Sequence, residues 1–399
     1  MRSELCVLKF GGSSLSTPEK IQSVAQRIAA LARQGRRLVV VVSAMGQTTD
    51  ELVSLAHRVS PHPNRRELDM LLTAGERISM ALMSMALHDC ACPSISFTGS
   101  QAGVMTNGSF SNAEIVAIRP IRVAQELRRG RVVVLAGFQG VDPRTKEITT
   151  LGRGGSDTTA IAMASVLGAK RCEIYKDVDG IYGADPKLIP NAPFYKKIPL
   201  HLLHEFCHWG AKVLNVRSVE WAMKSALPIF IGKSSDFSLG TSVTTKQDKS
   251  KLRQRPIVGL HSHSNVLEVL AGCKSLPEIT RALQAPLQPR SLPQPNVLHR
   301  EKIKNGFRLF LTLDAESLAQ IRHELNQAKY LKVIRDDLSS IALTSNRFSS
   351  TVEAAMRSSF NGSTVCHFST NWSRVMIIPS NERLDAMSAI SEKIFSARE

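Results

Sequence analysis

The sequence predicts an α/β protein with a mainly parallel sheet, followed by smaller α+β modules. Over the first 245 residues, short apolar runs alternate with helical patterns, which is typical of successive βα units. Several of the predicted strands end in turns that contain glycine. After Thr245 a charged stretch without apolar periodicity begins, and beyond it strands and helices alternate in shorter units.

The N-terminal part begins with a predicted strand at Leu5–Phe10. Thr17 is the expected N-cap of the first helix, because Pro18 follows it and Gly35 lies just past the helical pattern. The other predicted strands are Arg37–Ser43, Ser94–Thr98, Arg131–Ala136 and Arg171–Tyr175, and the other helices are Leu68–His88, Ser156–Leu167, Leu200–Trp209 and Lys212–Ser225.

The C-terminal part follows a predicted linker at Lys246–Arg255. A loop with four prolines is expected at Gln284–Pro295. The predicted strands are Pro256–Leu260, Asn265–Leu270, Phe307–Leu313, Ser339–Thr344, Thr364–Phe368 and Arg374–Ile378, and the helices are Leu276–Leu283, Ala315–Gln327, Ser350–Ser358 and Asn381–Phe395.

Composition limits the classes of protein to consider. The 399 residues are 43% apolar, and seven cysteines without a C-x-x-C pair suggest a reducing compartment. The first residues contain no long apolar run, so we expect a soluble cytoplasmic protein. The net charge of +17 is spread along the chain and aromatic residues make up only 5%, so neither nucleic acid nor a membrane is an expected partner.

Two glycine-rich turns suggest anion binding. Lys9–Ser14 follows a strand, and its glycines would let backbone N–H groups approach a phosphate while Lys9 adds charge. The alternative is a tight βα turn with a surface lysine. In the second turn, at 149–160, Arg153 could grip a carboxylate or phosphate, and Asp157 could cap the helix that follows.

Three further segments carry polar groups near strand ends or in apolar surroundings. Ser43–Asp50 suits ligand binding, or simple capping by Thr49 or Asp50. Gly75–Arg77 places charges in an apolar helix, which is costly unless they are solvated or matched by a ligand. The aspartates within 175–187 could organise Mg²⁺-nucleotide or form an acidic surface loop. Together these segments favour phosphoryl transfer over hydride transfer or hydrolysis.

These motifs resemble those of the aspartokinase family. The segments Lys9–Ser14, Ser43–Asp50, Gly75–Arg77, Ser96–Thr106, Thr149–Ala160 and Tyr175–Pro186 stand in the family's order, and the resemblance covers residues 5–245. It implies an amino-acid-kinase αβα sandwich with a mainly parallel open sheet at 1–245, a linker at 246–255, and tandem ferredoxin-like (ACT-like) modules at 256–399. It also implies ATP-dependent phosphorylation of the β-carboxylate of L-aspartate to 4-phospho-L-aspartate, which leads to lysine, threonine and methionine.

The resemblance also implies roles for individual residues. Lys9 would neutralise the transferring phosphoryl group and Asp157 would orient Lys9. Glu76 would pair the substrate ammonium group, and Arg153 with Ser156 would hold its α-carboxylate. Ser43 and Thr49 would complete the aspartate pocket. The nucleotide, which carries Mg²⁺ with it, would contact Lys9, Gly11, Gly12, Ser13, Lys176, Asp177, Tyr182, Asp185, Lys187 and Lys212; no protein-bound metal is expected.

Some positions depart from the family pattern. Lys176 stands where the family usually has a small hydroxyl residue, Lys187 where it often has arginine, and Asn215-Val216 where it usually has His-Pro. Altered nucleotide affinity or local geometry is therefore expected. The C-terminal modules should form a homo-oligomer and bind an effector such as lysine or threonine. Because Lys274–Glu278 lacks a Pro-Gly turn, the alternative is that they serve only as a scaffold.

Alternatives to aspartate kinase are a kinase for acetylglutamate, glutamate or a nucleoside monophosphate, and a non-catalytic ligand-binding regulator.

Overall fold

The computed structural model describes residues 4–245, 256–287, 294–313, 315–358 and 363–395. The predicted linker at 246–255 therefore lies outside the described residues, as do residues 288–293 of the predicted proline-rich loop. The chain divides into two compact units. The first comprises Met1–Ile181, Phe194–His204 and Lys212–Leu252, and the second comprises Tyr182–Pro193, Glu205–Ala211 and Arg253–Glu399.

Strands and helices alternate along the described chain. The strands are β1 Leu5–Phe10, β2 Arg37–Val42, β3 Ser94–Phe97, β4 Val104–Thr106, β5 Ile115–Ile118, β6 Val132–Ala136, β7 Gln139–Val141, β8 Ile148–Thr150, β9 Arg171–Lys176, β10 Ile181–Tyr182, β11 Phe194–Tyr195, β12 Lys197–Pro199, β13 Ile229–Lys233, β14 Asp236–Thr244, β15 Val258–Ala271, β16 Asn296–Ile303, β17 Gly306–Thr312, β18 Leu331–Ser345, β19 Cys366–Ser369 and β20 Ser373–Pro379. The helices are α1 Pro18–Arg33, α2 Thr48–Val59, α3 Arg65–Asp89, α4 Ile121–Arg128, α5 Gly155–Val166, α6 Leu200–His208, α7 Val216–Ser225, α8 Leu276–Gln284, α9 Ala315–Gln327, α10 Ser350–Arg357 and α11 Arg383–Phe395.

An eight-stranded sheet forms the centre of the first unit, in the order β12-β14-β13-β9-β1-β2-β6-β3. All neighbouring strands are parallel except β13 and β14, which confirms the predicted mainly parallel open sheet. Phe10 lies opposite both Val42 and Tyr175, and Val42 lies opposite Ala136. The carboxyl ends of β1, β2, β6 and β9 are therefore level at one edge of the sheet.

Helices cover the sheet according to the alternation of side chains along β1. Leu8 and Phe10 belong to a buried cluster with residues of α1 and α3, such as Ile28 and Met83. Lys9 points to the opposite face, because successive strand residues alternate, and meets α5 there. Thr17 caps α1 as predicted, since its hydroxyl accepts from Lys20 N at 3.4 Å.

Helix α3 is the most apolar long helix. Among the described residues it is the one helix whose length and composition would suffice to cross a membrane, a test that core helices also pass. Leu72, Met83 and Leu87 of this helix are buried, and so is the polar Asp69. These contacts fit a core helix of the first unit.

Several predicted elements need correction. Helix α7 begins at Val216 rather than Lys212, because Asn215 is its N-cap. The predicted strands Pro256–Leu260 and Asn265–Leu270 are one continuous strand, β15. Helix α2 and the small sheet β5-β4-β7-β8 were not predicted.

The second unit contains a six-stranded antiparallel sheet in the order β16-β17-β15-β18-β20-β19. One buried cluster joins residues of α8 and α9 to β15 and β17, and another joins α11 to β15, β18 and β20. A third cluster contains Leu298 of β16 and Cys366 of β19, although these strands lie at opposite ends of the hydrogen-bonding order. The sheet and its helices fit the ACT-like modules of the prediction.

Candidate active site

Loops at the carboxyl ends of the central strands are hydrogen-bonded to one another. Gly11 N donates to Tyr175 O, and Gly46 N donates to Gly12 O, each at 3.0 Å. Gly137 N donates to Val42 O at 3.0 Å. The turns after β1, β2 and β9 thus meet at one edge of the sheet, where ligands bind in open α/β folds. The turn at 149–160 instead follows β8 of the small sheet.

Two glycines in this region permit close packing against Ala44. A Cβ atom on Gly12 would lie 2.6 Å from Ala44 O, and one on Gly75 would lie 2.7 Å from Ala44 Cβ. Any larger residue would force the backbone apart. The turn after β1, the turn after β2 and helix α3 are therefore held together around Ala44.

A buried carboxylate lies between two lysines in the centre of the site. Lys9 Nζ is 2.7 Å from Asp157 Oδ1, and Lys176 Nζ is 2.9 Å from Asp157 Oδ2. The side chains of Lys9 and Asp157 are 6% and 4% exposed. This arrangement of two cations and one anion carries a net positive charge, which suits a group that binds phosphate.

The charges on these groups follow from burial and from their contacts. Burial raises the pKa of Asp157, but the ammonium groups of Lys176 and Lys9 outweigh it and bring the pKa down to about 2. Burial lowers the pKa of Lys9, and the attraction of Asp157 opposes this change.

The prediction that Asp157 caps helix α5 is wrong. Gly154, in the left-handed conformation with φ +73°, is the N-cap, and Asp157 is the third helical residue.

Glu76 is a buried carboxyl group with one oxygen available to a ligand. Its Oε1 accepts from Ala44 N at 3.0 Å, whereas Oε2 has no hydrogen-bond partner among the described residues. Burial raises the pKa of Glu76 to about 7, against the opposing effects of the Ala44 hydrogen bond and Lys9. A cationic ligand group would satisfy the second oxygen and favour ionisation.

Glu76→Gln should remove a pH dependence of stability. The folded carboxyl holds its proton up to about pH 7, whereas the unfolded one loses it near its ordinary pKa of 4.5. The neutral carboxyl therefore stabilises the fold fully below the unfolded pKa. This contribution to the free energy of unfolding, roughly 3 kcal/mol, is lost as the pH rises through the folded pKa. Urea midpoints at about pH 5 and about pH 8 measure this fall, and Glu76→Gln should largely abolish it.

The exposed Glu67, whose pair with Arg66 is at 2.9 Å, provides the control. Glu67→Gln should retain the pH dependence of the parent protein. A parent whose urea midpoint does not fall over this range would contradict the raised pKa of Glu76.

The predicted carboxylate-binding residues surround the start of α5. Arg153 is exposed in the turn before it, and Ser156 is buried in its first turn. A Cβ atom on Gly137 would lie 2.8 Å from Ser156 Cβ, so this glycine permits the close approach of the turn after β6 to α5.

Thr49 lies in the first turn of α2. Capping by Thr49 or Asp50 is wrong, because the N-cap is Gln47 and no side chain makes the capping bond.

The predicted nucleotide-binding residues divide between the two units. The first unit holds Lys9, Gly11, Gly12, Ser13, Lys176, Asp177 and Lys212, of which Ser13, Asp177 and Lys212 are exposed. Tyr182, Asp185 and Lys187 belong to the second unit, and their role stays a prediction. Ser43, which follows β2, is partly buried.

The family is established by comparison with known proteins. The model of the amino acid kinase family matches residues 4–233 of the 399. The chain belongs to the amino acid kinase family. Within it, the aspartokinase of Mycobacterium tuberculosis is 48% identical over 274 residues, which are 68% of this chain and 65% of that protein. The aspartokinase of Thermus thermophilus is 48% identical over 239 residues, 60% and 59% of the two chains. The matched part thus spans less than two thirds of these relatives.

Solved structures of aspartokinases share the fold of this amino acid kinase. The aspartate kinase of Synechocystis is 32% identical, with a TM-score of 0.56 over 98% of this chain and 69% of that one. The aspartokinase III of E. coli, solved with aspartate and ADP, has a TM-score of 0.80 at 22% identity, over 98% of this chain and 100% of that one. Its similarity concerns the fold. Together the comparisons place the chain among the aspartokinases.

Asn215, a departure from the aspartokinase pattern, has a local role in this amino acid kinase. Its Oδ1 accepts from Arg217 N at 2.9 Å, which caps α7, and its Nδ2 donates to Arg153 O at 2.7 Å. It therefore holds the turn that carries Arg153. The preference of asparagine for N-cap positions is the sequence signal that could have identified this role.

Asp69 is a second residue that sequence reasoning missed. It is fully buried on α3, and its carboxylate accepts from the backbone N and the hydroxyl of both Ser111 and Thr150, at 2.8–3.0 Å. Burial raises the pKa of Asp69. Its bonds join the helix that carries Glu76 to the strand that leads to Arg153. The signal was an acid within an apolar helical run.

Proposed function

We propose that this protein transfers the γ-phosphoryl group of Mg-ATP to the β-carboxylate of L-aspartate, giving 4-phospho-L-aspartate and ADP. The observation that carries the proposal is the Lys9–Asp157–Lys176 group, in which Lys9 and Asp157 are buried, with the carboxyl of Glu76 near enough to interact with Lys9. Together these groups provide a positively charged site for phosphate and a hydrogen-bond acceptor for an ammonium group. The names of the relatives support the proposal.

In this mechanism Lys9 provides most of the electrostatic stabilisation. A β-carboxylate oxygen of aspartate attacks the γ-phosphorus, the bond to the β-phosphate oxygen breaks, and ADP leaves with the electron pair. No general base is needed, because a free carboxylate is already ionised at neutral pH. Lys9 Nζ neutralises charge on the transferring group, and the Gly11–Ser13 backbone supplies N–H donors to the phosphates. Asp157 positions both lysines.

Aspartate would be held at its two other charged groups. The ammonium group pairs with Glu76 Oε2, which has no partner in the described structure. The α-carboxylate binds Arg153 and Ser156 at the start of α5, where free backbone N–H groups add favourable charge. Ser43 and Thr49 complete the pocket. Mg²⁺ enters with the nucleotide, and Lys176, Asp177 and Lys212 of the first unit line the nucleotide site.

An acyl-phosphate assay tests the proposed function. The purified chain is incubated with Mg-ATP and L-aspartate, and hydroxylamine traps the acyl phosphate as a hydroxamate. We expect product with aspartate and little with acetylglutamate, glutamate or UMP. Hydroxamate from acetylglutamate or glutamate alone would identify a rival carboxylate kinase. UDP formed from UMP, which hydroxylamine does not trap and chromatography would detect, would identify a nucleoside-monophosphate kinase. Salt-sensitive nucleic-acid binding or effector binding without ATP turnover would identify the non-catalytic regulator.

Arg153→Ala should mainly raise KM for aspartate. A charged hydrogen bond to the substrate carboxylate is worth about 1.5–3 kcal/mol, so KM should rise roughly 10–100-fold while kcat changes little. Initial rates over a range of aspartate concentrations measure both constants. The exposed Arg128, at the end of α4, is the control, and Arg128→Ala should leave both constants unchanged. An unchanged KM in Arg153→Ala would remove Arg153 from the aspartate site.

The wider role of the protein follows from the proposed reaction. We propose a cytoplasmic enzyme at the start of lysine, threonine and methionine biosynthesis. Residues 1–245 form the catalytic domain, 246–255 the linker, and 256–399 the ACT-like region through which the chain forms a homo-oligomer. An amino-acid effector such as lysine or threonine would bind there. Hydroxamate assays with each amino acid added, together with sedimentation of the full chain, test these roles.

A further inference from the structure

We infer that His299, Glu301 and Cys366 form a binding site for a divalent transition metal ion such as Zn²⁺. All three belong to the second unit. One ligand atom from each lies within 4.8 Å of those of the other two. His299 and Glu301 lie on edge strand β16, and Cys366 lies on the opposite edge strand, β19.

The distances suit a tetrahedral ion. Cys366 Sγ is 3.3 Å from Glu301 Oε1, and His299 Nε2 is 3.9 Å from the same oxygen. Zinc bonds of about 2.3 Å to sulfur and about 2.0 Å to nitrogen and oxygen place neighbouring ligand atoms roughly 3–4 Å apart. Small side-chain rotations would therefore bring all three atoms onto one ion. Imidazole, thiolate and carboxylate are the ligands that zinc takes in proteins.

Other side chains hold two of the three ligands in place. The His299 ring stacks on Phe368, with ring centres 3.9 Å apart and planes 8° apart. Arg308 contacts Glu301 Oε2 at 3.4 Å, which leaves Oε1 turned toward Cys366 and His299. Supporting contacts of this kind orient the ligands of metal sites.

The surrounding charge also permits a cation. Arg308 is paired with the largely buried Glu268 at 2.8 Å, so its positive charge is already balanced. Glu301 then adds a negative charge, and Cys366 adds a second when its thiol releases a proton to solvent as the metal–sulfur bond forms. His299 and Glu301 are 24% and 36% exposed, so water can supply a fourth ligand.

A metal here would connect strands that share no backbone hydrogen bonds. Residues 299 and 366 stand at the two ends of the six-stranded order, and the side chains of Leu298 and Cys366 already share a buried cluster. A bond through the ion would fix the two edges together. Since the ion binds only the folded arrangement, it should raise the stability of the second unit.

Cobalt titration of the full chain tests the site. Co²⁺ is added under reducing conditions while the absorption spectrum is recorded. We expect one equivalent of Co²⁺ to bind with a thiolate-to-cobalt charge-transfer band, and Zn²⁺ to displace it. Cys366→Ser should lose the band, and His299→Ala should bind at least ~10-fold more weakly.

Matched variants separate this site from adventitious binding. Cys273→Ser removes another buried thiol of the same unit, and His367→Ala removes the exposed imidazole next to Cys366. Both controls should bind Co²⁺ as the parent does, and circular dichroism should show all four variants folded. A Zn²⁺-dependent rise in Tm should occur in the controls and not in Cys366→Ser. Absence of the band in the parent, its persistence in Cys366→Ser, or equal losses in His299→Ala and His367→Ala would overturn the proposal.

Discussion

Lys9→Met is expected to lower kcat for aspartate phosphorylation by roughly 10³-fold with little change in either KM. Methionine keeps the unbranched stem but removes the charge that neutralises the transferring phosphoryl group. The ammonium group is 2.7 Å from Asp157 and almost fully buried, so water cannot replace it easily. Single-turnover and steady-state hydroxamate assays would measure the loss.

A lysine of the same unit outside the site provides the control. Lys170 is 73% exposed and lies 3.6 Å from Glu4. Lys170→Met should change kcat by less than about twofold, because exposed ion pairs contribute little. If Lys9→Met kept most of the activity, Lys9 would have no role on the phosphoryl group.

Asp157→Asn is expected to lower both kcat and stability. Without the carboxylate, Lys9 and Lys176 repel each other in a buried place, and one of them should lose its proton. Breaking such a pair costs about 3–5 kcal/mol, which should appear as a lower urea midpoint. Because Lys9 then loses its orientation, kcat should fall on the order of 10²-fold while KM for aspartate changes little.

Comparison with Arg153→Ala makes this prediction specific. Asp157 is expected to act on the phosphate side of the site and Arg153 on the aspartate side, although they are four residues apart. Glu67→Gln, an amide substitution at an exposed ion pair, should alter neither kcat nor the urea midpoint. If Asp157→Asn and Arg153→Ala both raised KM for aspartate with kcat unchanged, the proposed division of roles would be wrong.

Local sequence patterns predicted the framework of the site well. Buried apolar strands followed by glycine turns place Lys9 and Ser43 at the ends of β1 and β2, and Lys176 ends β9 at the same edge. Parallel strands must end together, so the meeting of these turns follows from the alternation of strands and helices. The glycines before Ser156 likewise predict a helix from Ser156, and α5 begins one residue earlier, at Gly155.

Contacts between distant segments could not be predicted from local patterns. Asp157 has the residue type and the sequence position of a helix cap. Its role is decided instead by its burial beside two lysines, which come from strands β1 and β9. Asp69 is bonded to residues more than forty positions away. Lys176 was predicted to contact the nucleotide and to depart from the family pattern, but its bonds from Nζ to Asp157 and to Val213 O were not predicted. Such pairs depend on which strands and helices become neighbours.

Prediction from local patterns has the same limit in the six-stranded sheet of the second unit. Strand β15 has a register shift between His263 and Val266, at the place where the sequence suggested two separate strands. Polar residues within 261–265 hid the continuity of the backbone, because a half-exposed strand tolerates them. The approach of β16 and β19 depends on the shape of the whole sheet, and no local pattern encodes it.

The position of Ala44 has a consequence for how ligand binding can be observed. Its N–H donates to Glu76, and its carbonyl lies against Gly12. An ammonium ligand would keep Glu76 ionised, and an ionised acceptor makes a stronger hydrogen bond. Exchange of this single amide proton with deuterium should therefore slow when aspartate is added without nucleotide. Occupancy of the amino-acid half could thus be read from one backbone position before any phosphoryl group moves.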